Sequence, residues 1–331
     1  MRKLLIIIMA LVPASVLAQF APAAGFPGTT AMHADSSAFV AWATGCVVER
    51  GPQRIDNLSV GLADFGTEAD ALGFPGGTMN VVSLGDGGKA TLTFESPICN
   101  GEGPDFAVFE NGFANAQNPS LYFLELAFVE VSSDGVNFFR FPAVSNVQTD
   151  TQLGGSGCID PQQIHNFAGK YQDFYGTPFD LDDVEDNPLL DKNRITHIRL
   201  IDVVGNIDPE YVTYDSEGHP VNDPWPTPFG SSGFDLDAVG VIHDLEHFAV
   251  AENGYENFEI YPNPAHNELV ILLNYDNQVN YMIYNLLGQN VKNGTVDGNE
   301  IHVDISDLEA GVYFVSVNSS GNVFTKRVIV R

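Results

Sequence analysis

Acidic side chains are the residues with the greatest capacity for chemistry in this chain, and their spacing limits which chemistry is open to them. Asp235 and Asp237 alternate along a predicted strand in the run GFDLDAVGVI, so period-two geometry puts both carboxylates on one face, about 7 Å apart. Two such charges repel unless they are solvated or share a cation. Calcium is the natural candidate, because it accepts hard oxygen ligands in flexible geometry. Asp105 and Glu110 flank the apolar run Phe106 to Phe109 and are the expected complement to that shell. A second use of carboxylates is glycoside cleavage, which needs an acid and a base about 5 to 9.5 Å apart. Glu110, Glu125 and Glu130 are the candidates, although Glu125 and Glu130 differ by an odd number of positions and would face opposite ways on a continuous strand.

Other constellations fail on inspection. The run from Asp180 to Asp186 has Val184 where an EF-hand needs an oxygen and no glycine at the following position, so it reads as a solvated loop. His243 and His247 stand four apart but lack the metalloprotease glutamate. Gly154-Gly155-Ser156-Gly157 and Gly230-Ser231-Ser232-Gly233 are not nucleophile elbows. Three cysteines, Cys46, Cys99 and Cys158, permit at most one disulfide and match no zinc spacing, so they read as structural or incidental.

Binding through aromatic side chains is the alternative to catalysis. Trp225, between Pro224 and Pro226, reads as a ring presented on a stiff loop. Tyr171, Phe174 and Tyr175 form a second aromatic group, whereas Trp42 in the run FVAWA reads as core. These rings suit a glycan or another flat nutrient ligand, with a corrinoid as one example. Three classes stay open: binding module, carboxylate-dependent glycoside hydrolase, and structural or adhesive surface protein. The ligand-binding class fits these residues best.

The elements that must position these residues are strands. Helical periodicity is scarce, 32 glycines and 19 prolines are spread throughout, and short alternating runs are bounded by Gly, Asp and Asn. Asp134-Gly135 supplies a tight hairpin turn between FVEVSS and FFRF. The spacing predicts an all-β chain: a β-sandwich over 19 to 245, a polar linker over 246 to 257, and a smaller β unit over 258 to 331.

Both ends read as export signals. Arg2 and Lys3 precede an apolar run, and Val16-Leu17-Ala18 then precedes Gln19, the pattern of a cleavable signal peptide over 1 to 18 that is too short to remain as a membrane span. Against 43 acidic residues stand 14 Lys plus Arg, a net charge of -29. That balance disfavours nucleic acid and anionic membranes as partners, since phosphate binding needs clustered cations.

Two resemblances add to this reading. The segments FEIYPNPAHNELVILL, YMIYNLLGQNV and DLEAGVYFVSV resemble the type A C-terminal sorting domain of type IX secretion substrates. That resemblance implies an immunoglobulin-like fold for 258 to 331, recognition by the type IX machinery, and delivery to the outer-membrane surface or the extracellular space. It also implies removal of the domain after transport. The order of Leu84-Gly85, the 128 to 141 hairpin, the 195 to 204 strand and the 233 to 242 strand resembles discoidin-like and galactose-binding-like jelly rolls. The same region also resembles exported bacterial proteins known only as cell-surface proteins, which brings no reaction with it. The insertion from 149 to 194 departs from a compact discoidin module, so no ligand residues carry over.

Overall fold

The computed structural model describes residues 20–247, 258–273, 278–286, 288–319 and 322–331. The predicted signal peptide, most of the predicted linker and Leu287 of the run YMIYNLLGQNV lie outside them. Two compact units result, divided between Asp244 and Leu245.

In the first unit the chain runs through β1 (Met32–His33), β2 (Ala41–Trp42), β3 (Gly45–Glu49), β4 (Val82–Ser83), β5 (Lys89–Ile98), β6 (Phe106–Glu110), β7 (Phe113–Ala114) and β8 (Tyr122–Phe123). It continues through β9 (Ala127–Ser132), β10 (Phe139–Arg140), β11 (Val144–Ser145), β12 (Ile164–His165), β13 (Tyr175–Phe179), β14 (Ile195–Asp202) and β15 (Asp235–Val241). One sheet has the order β1-β13-β6-β15-β2, with β4 added to β15, and the other has the order β10-β9-β14-β5-β3. Pairing is antiparallel throughout these two sheets. The all-β sandwich expected from the alternation is therefore what the chain forms.

Alternation decides which residues fill the space between the sheets. Phe106, Val108, Leu236, Val239 and Val241 from the first sheet meet Leu92, Val129, Val131, Ile198 and Leu200 from the second in one buried cluster. The first sheet is covered on its outer face as well, where Ala107, Phe109 and Ala238 pack with Met32, Phe39 and Trp42. A further cluster, including Leu126, Phe128, Ile159, Phe167 and Val221, forms beneath the long loops. This is why β6 and β15 are buried along their whole length, and why a carboxylate on either strand is removed from water.

A register shift between Leu236 and Ala238 in the β15 pairing with β6 marks a bulge at Asp237. At the β9 to β10 hairpin, Gly135 takes φ +74, and Asp134 accepts the Val136 and Asn137 amides at 2.8 Å. Those bonds hold the Asp134 carboxyl below its ordinary range. The positive φ expected at the Asp-Gly pair is thus present at Gly135, within a six-residue connection over 133–138.

The second unit contains β16 (Phe258–Tyr261), β17 (Glu268–Leu273), β18 (Gln278–Asn285), β19 (Asn290–Asp297), β20 (Glu300–Asp304), β21 (Gly311–Ser319) and β22 (Asn322–Val330). A three-stranded sheet, β16-β17-β20, and a four-stranded sheet, β19-β18-β21-β22, share one core. Leu269, Ile271, Ile301 and Val303 from the first meet Ile283, Val315, Val317 and Val328 from the second. No residue of this core belongs to the core of the first unit.

Candidate functional site

The four residues expected to share calcium do not form one shell. Asp105 precedes β6 and Glu110 ends it, which separates them by about 17 Å of extended chain. Asp105 fastens three backbone segments instead, accepting the Gly101 and Leu181 amides and pairing with His243 Nδ1, each at 2.8 Å. Asp237 uses its two oxygens to accept the amides of Gly76 at 2.8 Å and Gly77 at 3.2 Å. Asp235 accepts from the Ser83 hydroxyl and from Asn111 Nδ2. Among the described residues no group of three or more His, Cys, Asp or Glu is placed to hold a metal ion. The bulge at Asp237 and the competing backbone donors were invisible to a period-two argument.

Burial dominates the electrostatics of these acids. It raises Asp235 and Asp237 to about 6, against which their hydrogen bonds act. Glu110 is 1% exposed; its Oε2 accepts the Gly112 amide at 2.8 Å, while its Oε1 is enclosed with no partner among the described residues. Burial first, and then the Asp235 charge, push Glu110 well above the ordinary carboxylate range. Glu125 is raised in the same way by burial, with Asp235 and Glu110 as the leading charge neighbours.

Glu130 has a different environment. It lies on the outer face of β9, where the register sets it opposite Arg140 on one side and Arg199 on the other. Arg140 Nη2 stands 2.9 Å from Oε1, and Arg199 Nε donates to Oε2 at 2.8 Å. Of the three candidate glutamates, Glu125 is raised first by burial, then by the Asp235 charge and then by the Glu110 charge.

The aromatic expectation is corrected at Trp225. Its ring is only 9% exposed, its Nε1 donates to Asp86 Oδ2 at 3.0 Å, and the Arg54 guanidinium lies 5.6 Å above it. The flanking prolines stiffen the loop, but the ring points inward because a buried carboxylate takes its N–H. Tyr171 is also buried and shares a hydrogen bond of 2.8 Å with Thr30 Oγ1. Tyr175 is half-buried on β13, edge-on to His33 at 5.0 Å. Trp42, expected in the core, is half-buried in an outer aromatic group with Phe39, Phe74 and Phe109.

Sequence reasoning missed Asp86, Asp202 and Asp223. Asp202 accepts the Gly87 and Phe234 amides at 2.8 and 2.7 Å, Asp223 accepts the Leu126 amide at 3.1 Å, and Asp86 accepts the Ile55 amide at 2.8 Å. Burial raises Asp86 to about 6 and the other two well above their ordinary range. One signal was available: Asp202 interrupts an apolar strand, IRLIDVV, where a solvated acid has no place. Cys46 and Cys158 carry free thiols, and Cys99 is buried.

An exposed apolar rim lies above the Asp235 and Asp237 end of the first sheet. Asn111 Nδ2 donates to both Asp235 and the Thr78 carbonyl at 3.1 Å; Thr78 donates to Asp173 at 2.8 Å, and the Asp173 amide donates to the Gly112 carbonyl at 2.7 Å. These bonds tie together the loops of 73–80, 111–114 and 172–175. Phe74 and Phe113 are exposed on them, and Met79 is 75% exposed. Phe174 is 38% exposed and adopts φ +63, a conformation that costs a bulky residue energy. Its ring packs where a Cβ on Gly77 would come within 2.8 Å, so the glycine is required for the approach.

Comparison with known proteins decides the second unit. Residues 259–331 match the family of the secretion system C-terminal sorting domain. They are a type IX sorting domain. The sorting domain accounts for the tail that the motifs resembled and makes this chain an exported protein of the cell surface or the extracellular space. Among solved structures, the chain is similar to the BSP domain of a biofilm-associated protein, at 10% identity over 89% of this chain and 52% of that one, with TM-score 0.22. It is also similar to a Faecalibacterium prausnitzii β-glucuronidase, at 12% identity over 76% and 38%, with TM-score 0.22. A third is PorZ, a surface component of the Porphyromonas gingivalis type-IX secretion system, at 13% identity over 81% and 32%, with TM-score 0.21. The chain spans about half or less of each of these, and likenesses at such scores carry no functional weight. No curated protein matches the chain. Among the described residues, no helix is long and apolar enough to cross a membrane.

Proposed function

We propose that the first unit, displayed or released outside the cell after its signal peptide is removed behind Ala18, is a non-catalytic module that binds a glycan at the rim of Phe74, Met79, Phe113 and Phe174. The observation that carries this reading is Phe174, a bulky side chain held exposed in a left-handed backbone conformation. Strain of this kind persists only where the surroundings enforce it, and it concentrates at ligand-binding segments. Asp237 and Asp173 supply that enforcement by fixing Gly76, Gly77 and Thr78. Exposed rings offer apolar faces to the C–H face of a sugar, and the fixed loops present them with little loss of freedom on binding.

A glycan array probed with the secreted chain tests the reading. Bound glycans should be lost when Phe174 is replaced by Ala, with the melting temperature nearly unchanged. Binding that survives combined Phe74→Ala, Phe113→Ala and Phe174→Ala substitutions would reject the rim as the site.

The second reading is a glycoside hydrolase using Glu110 and Glu125, two buried carboxyls of which Glu125 is raised in part by the Glu110 charge. It requires release of reducing ends from a bound glycan, abolished by Glu110→Gln or Glu125→Gln while binding persists.

A further inference from the structure

A cavity of about 520 Å³ opens on a different part of the first unit, between the N-terminal segment, β13 and the turn after β12. Phe20, Met32 and Pro178 give it apolar walls, and His165, Lys170 and Asp183 give it polar ones. Lys170 is 3% exposed. Its Nζ donates to the Ile164 carbonyl at 2.8 Å, and its remaining surroundings include the rings of Phe20 at 5.9 Å and Tyr171 at 5.6 Å.

A buried ammonium is ordinarily neutralised by a carboxylate, because desolvating an unpaired charge costs several kcal/mol. This chain has 43 acidic residues for its 14 Lys plus Arg, yet among the described residues none stands within ion-pairing distance of Lys170 Nζ. Asp183 instead accepts from Asn166 at 3.1 Å, and Asp180 caps the turn at Asp182. His165 stacks on Phe20 at 5.0 Å and is held toward its neutral form by burial and by Lys170 itself. The cavity thus combines apolar walls with one buried cation that lacks an anion.

We propose that this cavity is a binding site for a small apolar carboxylate, which places its anionic oxygens on Lys170 Nζ and its hydrocarbon body against Phe20, Met32 and Pro178. The site is separate from the aromatic rim and stands whether or not the rim binds glycans. Charge and shape select together: a bare inorganic anion leaves the apolar walls wet, and a neutral ligand leaves the ammonium unpaired. Burial lowers Lys170 to about 8 against the weaker opposing charge of Asp160, so the ammonium is the majority form at neutral pH. Affinity should decline as pH rises through that value; the other titratable groups around the ammonium are His165, Asp160, Asp180 and Asp183.

Calorimetric titration of the secreted chain with phenylacetate and its neutral isostere phenylacetamide tests the site. A charge-assisted bond to a buried ammonium should favour the acid by about ten-fold or more, and Lys170→Gln should erase that preference. Because removal of Lys170 also strips a donor from the Ile164 carbonyl, Ala21→Trp serves as the independent variant: it narrows the cavity without touching the ammonium, and should abolish binding at an unchanged melting temperature. Equal affinities for acid and amide, no phenylacetate binding up to about 10 mM, or binding that survives both substitutions would overturn the proposal.

Discussion

The Trp225 indole N–H and the Ile55 amide converge on the same oxygen of Asp86, at 3.0 and 2.8 Å. Three stretches of chain remote in sequence are thereby fastened at one buried carboxylate. Trp225→Phe keeps an aromatic ring, though a smaller one, and deletes the donor, and should lower stability by about 1–3 kcal/mol. Trp225→Ala should cost about 3–5 kcal/mol. Chemical denaturation of the two variants checks the ranking, and neither should alter a ligand's affinity for the rim beyond what unfolding explains.

Acid should stabilise the first unit. Asp86, Asp235 and Asp237 rise to about 6 in the folded state, above the ordinary aspartate value near 3.9. Between those limits the folded chain binds more protons than the unfolded one, so stability is fully present below about 4 and is lost as pH climbs through about 6. Glu110, Glu125, Asp202 and Asp223, raised well above their ordinary values by burial, act in the same direction. The melting temperature should therefore be higher at pH 5 than at pH 8. Since the whole chain also sheds negative charge on acidification, the decisive comparison is a variant carrying Asp86→Asn and Asp235→Asn, whose pH profile should be flatter.

Glu110→Gln should be neutral or stabilising at pH 7.5, because burial and the Asp235 charge both disfavour the ionised carboxyl and the amide preserves its shape. A loss above about 2 kcal/mol, the range expected when a needed buried partner is removed, would show that the ionised carboxylate is required by the fold.

Glu130→Ala should destabilise by about 1–3 kcal/mol. Its carboxylate is buried between two guanidinium groups, but both arginines are partly exposed, which keeps the cost below that of breaking a fully buried pair. Both guanidinium groups stack on a ring, Arg140 on Phe128 at 4.2 Å and Arg199 on Phe138 at 3.7 Å, so Arg140→Ala should cost less than Arg199→Ala because Arg140 is the more exposed partner.

Strands and turns were legible because their causes are local. The alternation of ITHIRLID became β14, the Asp-Gly at 134–135 became the hairpin, and LEAGVYFVSV became the turn into β21. The fates of individual acids were not legible, because they depend on distant donors. Asp237 meets Gly76 and Gly77 across 160 or more positions, and Trp225 meets Asp86 across 139. Period two says which face a side chain takes. It does not say whether a second layer covers that face, and here Phe39 and Trp42 cover the outer side of β6 and β15.

Export is the central claim, and removal of residues 258–331 tests it most directly. The two units have separate cores, so the shortened chain should fold with the melting temperature of the intact first unit. Cell fractionation combined with protease treatment of whole cells should then find the intact chain exposed outside and the shortened chain protected in the periplasm. Equal surface exposure of both would contradict the account.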